Sequence, residues 1–500
     1  MIREKMKKFS QNTFFWIVLA TIIVIGGFLR FYRIGEQSFW VDEAFSYSIS
    51  SKGFLESLRT GNMSLFYVLA AVWSRLLPVI TEATLRSLSA LFSILTLAVI
   101  FITGRSIFDD ETDGLYCGLL ATLLVAINSS EVRYAQEFRS YSLTSFLSLA
   151  STLLLMQLIK ENAKKICTIA FYITFTVASV YSHIYASLLI AAQVVSLFFL
   201  IPSFKADFKV LRLLLLSYFC ILLLLIPLAL LISSIGGGRL EWLGSPKLGD
   251  IPVLLKFLTG TRSLLVLVVH FVFALLGACF GVGKTNKPKT YQNWCSILLL
   301  SNFIIPIVLS FAYSQILQPI FLNRYLLMVG PYLTLLTAAG VVTATDLTYK
   351  VHSNNFVRKL MTTLFVLLFA ISSIPSLSHY FVETKKEDWR TATNILATHC
   401  SQSLRIYYPD WLTPSIQFYD SNLNPITTTE LNAYLLSLKA QNYVGLSQEG
   451  LHNQVCLVFS HLGVGDRLYN ADLIRQSILM DFPNAQIIEL NGVSVEIYSR

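Results

Sequence analysis

The sequence predicts a polytopic α-helical membrane protein that ends in a small α/β domain, and three observations carry that prediction. Hydrophobic residues make up 54% of the chain and charged residues 13%, against about 25% charged in a soluble globular protein. Apolar runs near the roughly 20 residues that a helix needs to cross a bilayer follow one another as far as residue 378. Beyond residue 379 such runs stop, and charged residues interleave with short apolar stretches.

The basic start, Met1 to Lys8, precedes an apolar stretch at 13–29 and then the polar Arg30-Phe31-Tyr32-Arg33. No small-residue cleavage site follows, so the stretch reads as a retained first helix with a cytoplasmic N-terminus and not as a secretory signal. Residues 31–83 mix polar, aromatic and short apolar pieces and read as a large first outer loop. Its apolar piece 65–77, closed by Pro78, suits a helix lying at the interface. Further spans are expected at 85–103, 115–127, 141–159, 166–181, 185–201, 211–232, 264–280, 297–313, 325–342 and 360–374, about eleven with the first.

An odd number of crossings from an inside start puts the C-terminal region outside. The basic residues agree: Lys160, Lys164 and Lys165, then Lys205, Lys209 and Arg212, then Lys284, Lys287 and Lys289, then Lys350, Arg358 and Lys359 all fall inside. One inner loop is acidic, with Asp109, Asp110, Glu111 and Asp113, but acidic residues carry little topological weight.

The division expected is a transmembrane domain over 1–378, with 31–83 as its first outer loop, and a soluble extracytoplasmic α/β domain over 379–500. In the latter, 388–400 and 472–480 read as helices, 404–408 and 455–459 as strands, and 487–490 with 493–498 as a closing strand pair. The seven cysteines include no CxxC pair. Cys400 and Cys456 lie in this polar region, where a disulfide and two free thiols are both open.

Several function classes are excluded or weakened. The net charge of +9 is scattered among apolar segments and forms no soluble basic patch, which argues against nucleic acid as a partner. Cysteine and histidine show no metal-ligand spacing. No glycine-rich loop follows a strand, so nothing points to a nucleotide site.

The most informative feature runs against the positive-inside bias. Arg30, Arg33, Arg59, Arg75, Arg86, Arg133, Arg139, Arg239, Arg262 and Arg324 all fall at expected outer helix ends or in outer loops. Snorkelling at the headgroup boundary accounts for roughly half of such residues. The competing reading is an outward cavity that binds an anion, because a planar, permanently charged guanidinium suits phosphate. Into this basic setting the first loop brings Phe39-Trp40-Val41-Asp42-Glu43-Ala44. The adjacent carboxylates are either a solvated interfacial pair or a base that takes a proton from an acceptor hydroxyl.

A second cluster, Arg133-Tyr134-Ala135-Gln136-Glu137-Phe138-Arg139-Ser140-Tyr141, fills a short outer loop. It reads as part of the site, or more blandly as a capped helix start with Glu137 paired to an arginine. His183, in Tyr181-Ser182-His183-Ile184-Tyr185, and Arg324, in Asn323-Arg324-Tyr325, face the same side.

These strings carry a resemblance. Phe28-Leu29-Arg30-Phe31-Tyr32-Arg33 followed by Ser38-Phe39-Trp40-Val41-Asp42-Glu43-Ala44 resembles the first-loop signature of the GT-C superfamily of membrane glycosyltransferases. The branch concerned is glycosyltransferase family 39, with the protein O-mannosyltransferases, and the bacterial lipid A aminoarabinose transferase. Tyr134 to Leu143, Ser182-His183-Ile184-Tyr185 and Arg324-Tyr325-Leu326-Leu327 with Pro331 are similar to the family in the expected order, and the tail from Glu387-Asp388-Trp389-Arg390 is similar to outer domains of bacterial members. Where many members carry His-Pro-Pro-Leu-Tyr-Tyr, this chain reads Asn62-Met63-Ser64-Leu65-Phe66-Tyr67 and lacks the histidine and both prolines.

The resemblance implies a GT-C fold, a polyprenyl-phosphate-linked sugar as donor, generally inverting transfer, and Asp42 as the catalytic carboxylate with Glu43 beside it. The expectation is transfer of one sugar to an extracytoplasmic lipid, glycan or protein, in the plasma (inner) membrane, with site and C-terminal domain outside. Glu137 and Glu43 would orient acceptor and base. Arg139 and Arg324 would hold phosphate, with Arg30, Tyr141, His183 and Tyr325 completing the substrate-binding set. No cofactor is expected, the donor and membrane lipid being the non-protein partners, and metal dependence stays open. The rivals are a lipid-linked saccharide transporter and a non-catalytic lipid-sugar-binding partner. Helix centres nearly free of charge favour chemistry at the outer face over transport.

Overall fold

The computed structural model describes residues 2–161, 165–203, 208–235, 243–279, 290–352, 355–383, 386–426, 454–463 and 467–500. Arg239, Phe280 and the lysines 164, 205, 284, 287 and 289 lie outside the described residues. The chain divides into two compact units. The first comprises Met1–Ile34, Ser57–Leu69 and Leu85–Val382; the second comprises Gly35–Glu56, Ala70–Thr84 and Glu383–Arg500.

The helices in chain order are α1 (Ile2–Phe31), α2 (Val41–Ser51), α3 (Phe54–Arg59), α4 (Ser64–Leu76), α5 (Glu82–Ile107), α6 (Glu111–Ala126), α7 (Ser129–Ala135), α8 (Tyr141–Lys160) and α9 (Ile166–Ser182). There follow α10 (Ser187–Ser203), α11 (Phe208–Ile235), α12 (Asp250–Thr259), α13 (Leu264–Ala278), α14 (Thr290–Ile316), α15 (Gly330–His352) and α16 (Asn355–Val382). Among the described residues, seven helices are long and apolar enough to cross a membrane, or up to nine if each of two bent pairs is one span. With the shorter apolar helices Ile166–Ser182 and Ile184–Phe199, each apolar stretch expected to span is helical over most of its described residues. The protein is thus a polytopic membrane protein. The acidic residues before α6 have a local reason: Asp110 caps the helix, accepting the Asp113 amide at 2.9 Å, where carboxylates suit the helix dipole.

Small residues set how closely the helices of the first unit pack. A Cβ on Gly277 of α13 would lie 1.9 Å from the Leu336 carbonyl oxygen, and one on Gly340 of α15 would lie 1.8 Å from that of Phe273. Backbone touches backbone there, as glycine permits between membrane helices. The most apolar stretch of the span Asn323–Leu347 is wholly buried, whereas those of Val210–Ser234 and Leu360–Val382 are mostly exposed, so the core lies around α15. Two spans are broken: α6 and α7 meet at 62°, α12 and α13 at 79°.

In the second unit, α17 (Trp389–His399), α18 (Thr413–Gln417) and α19 (Arg467–Leu479) accompany strands β1 (Leu404–Tyr408), β2 (Gln454–Ser460), β3 (Asn484–Leu490) and β4 (Val493–Ser499). The strand order is β1-β2-β4-β3, with β1 parallel to β2 and the other pairs antiparallel. Alternation along β2 sends Cys456 and Val458 into a core with Trp389, Leu396 and Ile416, and Val455, Leu457 and Phe459 into another with Ala471 and Ile478. Helices therefore cover both faces of this sheet. Cys400, at the end of α17, is disulfide-bonded to Cys456 on β2. Val41 of α2 joins the first of these cores, so the first-loop helix belongs to this unit.

Candidate functional site

In the first unit the break after α6 is built by Asn128, whose Oδ1 accepts the amides of Ser130 (2.9 Å) and Glu131 (3.2 Å). Its Nδ2 donates to the Leu258 carbonyl at 2.9 Å, and Ser129 Oγ donates to that of Gly260 at 2.9 Å. The two broken spans are thus latched at their breaks. Gly260 sits at φ +65, and a Cβ there would meet Asn128 Oδ1 at 2.5 Å, so only glycine fits. A cavity of about 300 Å3 opens beside the latch, lined by Ser129, Ser130, Lys256, Phe257, Gly260, Thr261 and Arg262. Non-helical backbone is tolerated in a membrane protein where it lines a cavity.

From this cavity a row of rings leads inward. Phe257 contacts Tyr134 (5.7 Å between centroids), and Tyr134 contacts Tyr141 (5.1 Å). Tyr141 lies near His183 (5.9 Å) and Tyr325 (6.3 Å), and Tyr325 lies against His183 (4.8 Å) and Tyr185 (5.0 Å). The guanidinium of Arg139 stands 5.8 Å from the Tyr141 ring, and that of Arg324 stands 5.7 Å from the Tyr325 ring. Five residues expected to bind substrate, Arg139, Tyr141, His183, Arg324 and Tyr325, therefore share one cluster.

His183 caps the junction between α9 and the turn before α10. It is 1% exposed, and burial, with Arg139 and Arg324 nearby, pushes its pKa down to about 3. The ring is neutral. Its Nδ1 accepts the Tyr185 amide at 3.3 Å, which leaves the proton on Nε2. Nε2 has no hydrogen-bond partner among the described residues, so the cluster holds two cations around a free N–H donor.

The other expected residues have different surroundings. Glu137 is 2% exposed; its Oε1 pairs with Arg133 Nε at 3.4 Å, and its Oε2 has no partner among the described residues. Arg30 is not in the cluster. Fully buried, it donates to Ser93 Oγ (2.7 Å) and to the carbonyls of Gly26 (2.9 Å), Ala126 (3.1 Å) and Val125 (3.2 Å). It closes the carbonyl end of α6 at the break. Arg86 and Arg33 likewise serve carbonyls, those of Ile34 (2.8 Å) and Phe381 (3.0 Å). Glu131, 2% exposed with Oε1 unpartnered among the described residues, escaped the sequence reading; an acidic residue beside an apolar run was the available signal. Lys256 carried no signal.

Asp42 and Glu43 open α2 in the second unit. Glu43 is fully buried, with Oε2 at 2.9 Å from Lys386 Nζ, whereas Asp42, one residue earlier, is half-buried. Glu387 holds the start of the helix: its Oε2 accepts the Val41 amide (3.0 Å) and Trp389 Nε1 (2.8 Å), and its Oε1 meets His461 Nε2 at 2.8 Å. Among the described residues, no three His, Cys, Asp or Glu side chains gather closely enough to hold a metal ion.

No protein-family model matches the sequence, and no curated protein matches it. Solved structures do. ArnT from Cupriavidus metallidurans bound to undecaprenyl phosphate is 12% identical with a TM-score of 0.56, over 97% of this chain and 98% of that one. ArnT in the apo state is 13% identical with a TM-score of 0.57 over the same shares. The archaeal oligosaccharyltransferase AglB from Archaeoglobus fulgidus, in complex with an inhibitory peptide and a dolichol-phosphate, is 10% identical with a TM-score of 0.59, over 89% of this chain and 69% of that one. The chain has the fold of these GT-C enzymes.

Proposed function

We propose that the chain is a glycosyltransferase that moves a sugar from a polyprenyl-phosphate carrier to an acceptor on the extracytoplasmic side of the membrane. The observation that carries the reading is the gathering of Arg139 and Arg324 around the neutral, N–H-donating His183. Two guanidinium groups and a donor, walled by tyrosines, suit a phosphate monoester leaving group. The solved relatives that bind undecaprenyl phosphate and dolichol-phosphate support the same ligand class. In this reading an acceptor oxygen attacks the anomeric carbon and the bond from that carbon to the phosphate oxygen breaks. Asp42 takes the acceptor proton, and the arginines hold the departing phosphate. The disulfide Cys400–Cys456 supports an oxidising compartment for the second unit.

Undecaprenyl phosphate binding to the protein in nanodiscs tests the anion site. Arg139→Met and Arg324→Met should each weaken it about tenfold or more, the loss expected for one charge-assisted contact. Unchanged affinity in both variants removes the phosphate role.

The latched, broken spans favour a second reading, transport of a lipid-linked saccharide without chemistry, since discontinuous helices build transporter sites. The readings part on one observable: transfer cleaves the sugar–phosphate bond, and transport leaves it intact.

A further inference from the structure

The string Lys386 to Arg390 makes contact after contact with the first loop. Lys386 Nζ pairs with Glu43, and its amide donates to Gln37 Oε1 at 3.0 Å. Glu387 takes the first amide of α2 through its carboxylate and the Ser38 hydroxyl (2.7 Å) through its carbonyl. Asp388 caps α17, accepting the Thr391 amide at 3.2 Å, and Trp389 fills the core that Val41 enters. Arg390 donates to Glu82 Oε1 (Nε, 3.2 Å) and to the carbonyls of Gly35 (3.1 Å) and Glu36 (3.3 Å). Tyr419 adds a link, accepting the Phe39 amide and donating to Glu82, both at 2.8 Å.

We propose that this string is a clasp with which the C-terminal sheet domain orients the acidic helix, Lys386 being a positioning residue that acts through Glu43 on Asp42. The inference rests on the reading of Asp42 as the base. Three physical points carry it. A fully buried carboxylate needs a cation at hydrogen-bond distance, and removal of either partner leaves an uncompensated charge. A carboxylate on the first free N–H of α2 fixes that end by hydrogen bond and by helix dipole. Asp42 is covalently next to Glu43, so whatever fixes Glu43 at the N-terminal turn sets the direction of Asp42. Glu43 thus gives up its own availability as a proton acceptor, which separates the roles of two adjacent carboxylates.

The test uses the whole chain in cells and in nanodiscs, with Lys386→Met, Lys386→Arg and Asp42→Asn. Mass spectrometry of cellular polyprenyl-phosphate sugars, at matched protein abundance, reads turnover; undecaprenyl phosphate in nanodiscs reads donor-site binding. Lys386→Met should lower product formation tenfold or more with undecaprenyl phosphate affinity unchanged, and Lys386→Arg should restore most of it. Amide exchange over residues 41–47 should speed up in Lys386→Met and return to the wild-type rate in Lys386→Arg, a reading that holds even where product is too scarce to measure. Full product formation in Lys386→Met overturns the clasp, as does a loss that Lys386→Arg does not repair. Full product formation in Asp42→Asn, by contrast, overturns the base reading while leaving the exchange result to judge the clasp.

Discussion

Asp42 and Glu43 are neighbours in sequence and differ in circumstance: one is half-buried, the other fully enclosed against Lys386. The resemblance distinguished them, with Asp42 as the base, but the difference in burial was not legible, because nothing local encodes a partner 343 residues away. His183 illustrates the converse, a lone histidine whose neighbours define it. Its unfolded pKa of 6.5 falls to about 3 in the folded protein. Below pH 6.5 the unfolded chain therefore binds a proton that the native state refuses, and stability falls as the pH drops from 6.5 towards 3. His183→Gln, which cannot titrate, should make the unfolding midpoint less sensitive to acid across that window. Parallel pH curves for the two proteins would contradict the assignment of a buried neutral ring.

At the scale of elements, hydropathy was a sufficient guide to the membrane helices, because length and apolarity alone define a span. Strand alternation served as well in the C-terminal domain: β1 falls on the expected residues, and β2 extends the expected 455–459 by one residue at each end. The bends at 62° and 79° were not legible, since they arise where Asn128 and Ser129 bond to carbonyls of Leu258 and Gly260 on another span. Nor was the use of Arg30: an arginine that closes a broken helix looks, in sequence, like one that binds phosphate. The α13–α15 contact offers a direct check. Gly277→Val places carbon where the Leu336 carbonyl already sits, and overpacking of this kind costs about 1–3 kcal/mol or more. The thermal midpoint should fall by several degrees, whereas an unchanged midpoint would mean that the helices are not in backbone contact.

For the whole molecule, the fold class and most members of the arginine–tyrosine cluster could be read from the chain, since Arg139, Tyr141, His183, Arg324 and Tyr325 sit in short strings at helix starts. The unit to which the acidic helix belongs could not. Its ties to the C-terminal domain span more than 340 residues and depend on which tertiary partners meet. The proposed transfer calls on two chemistries, phosphate binding by Arg139 and Arg324 and proton abstraction by Asp42, and it fails without the carboxylate. The most direct measurement compares, by mass spectrometry, the lipid-linked sugars and surface glycoconjugates of cells making the intact protein with those making Asp42→Asn at equal abundance. The variant is expected to accumulate one polyprenyl-phosphate sugar and to lose one glycosylated product. Matching profiles, in cells where deletion of the whole protein changes them, would contradict it.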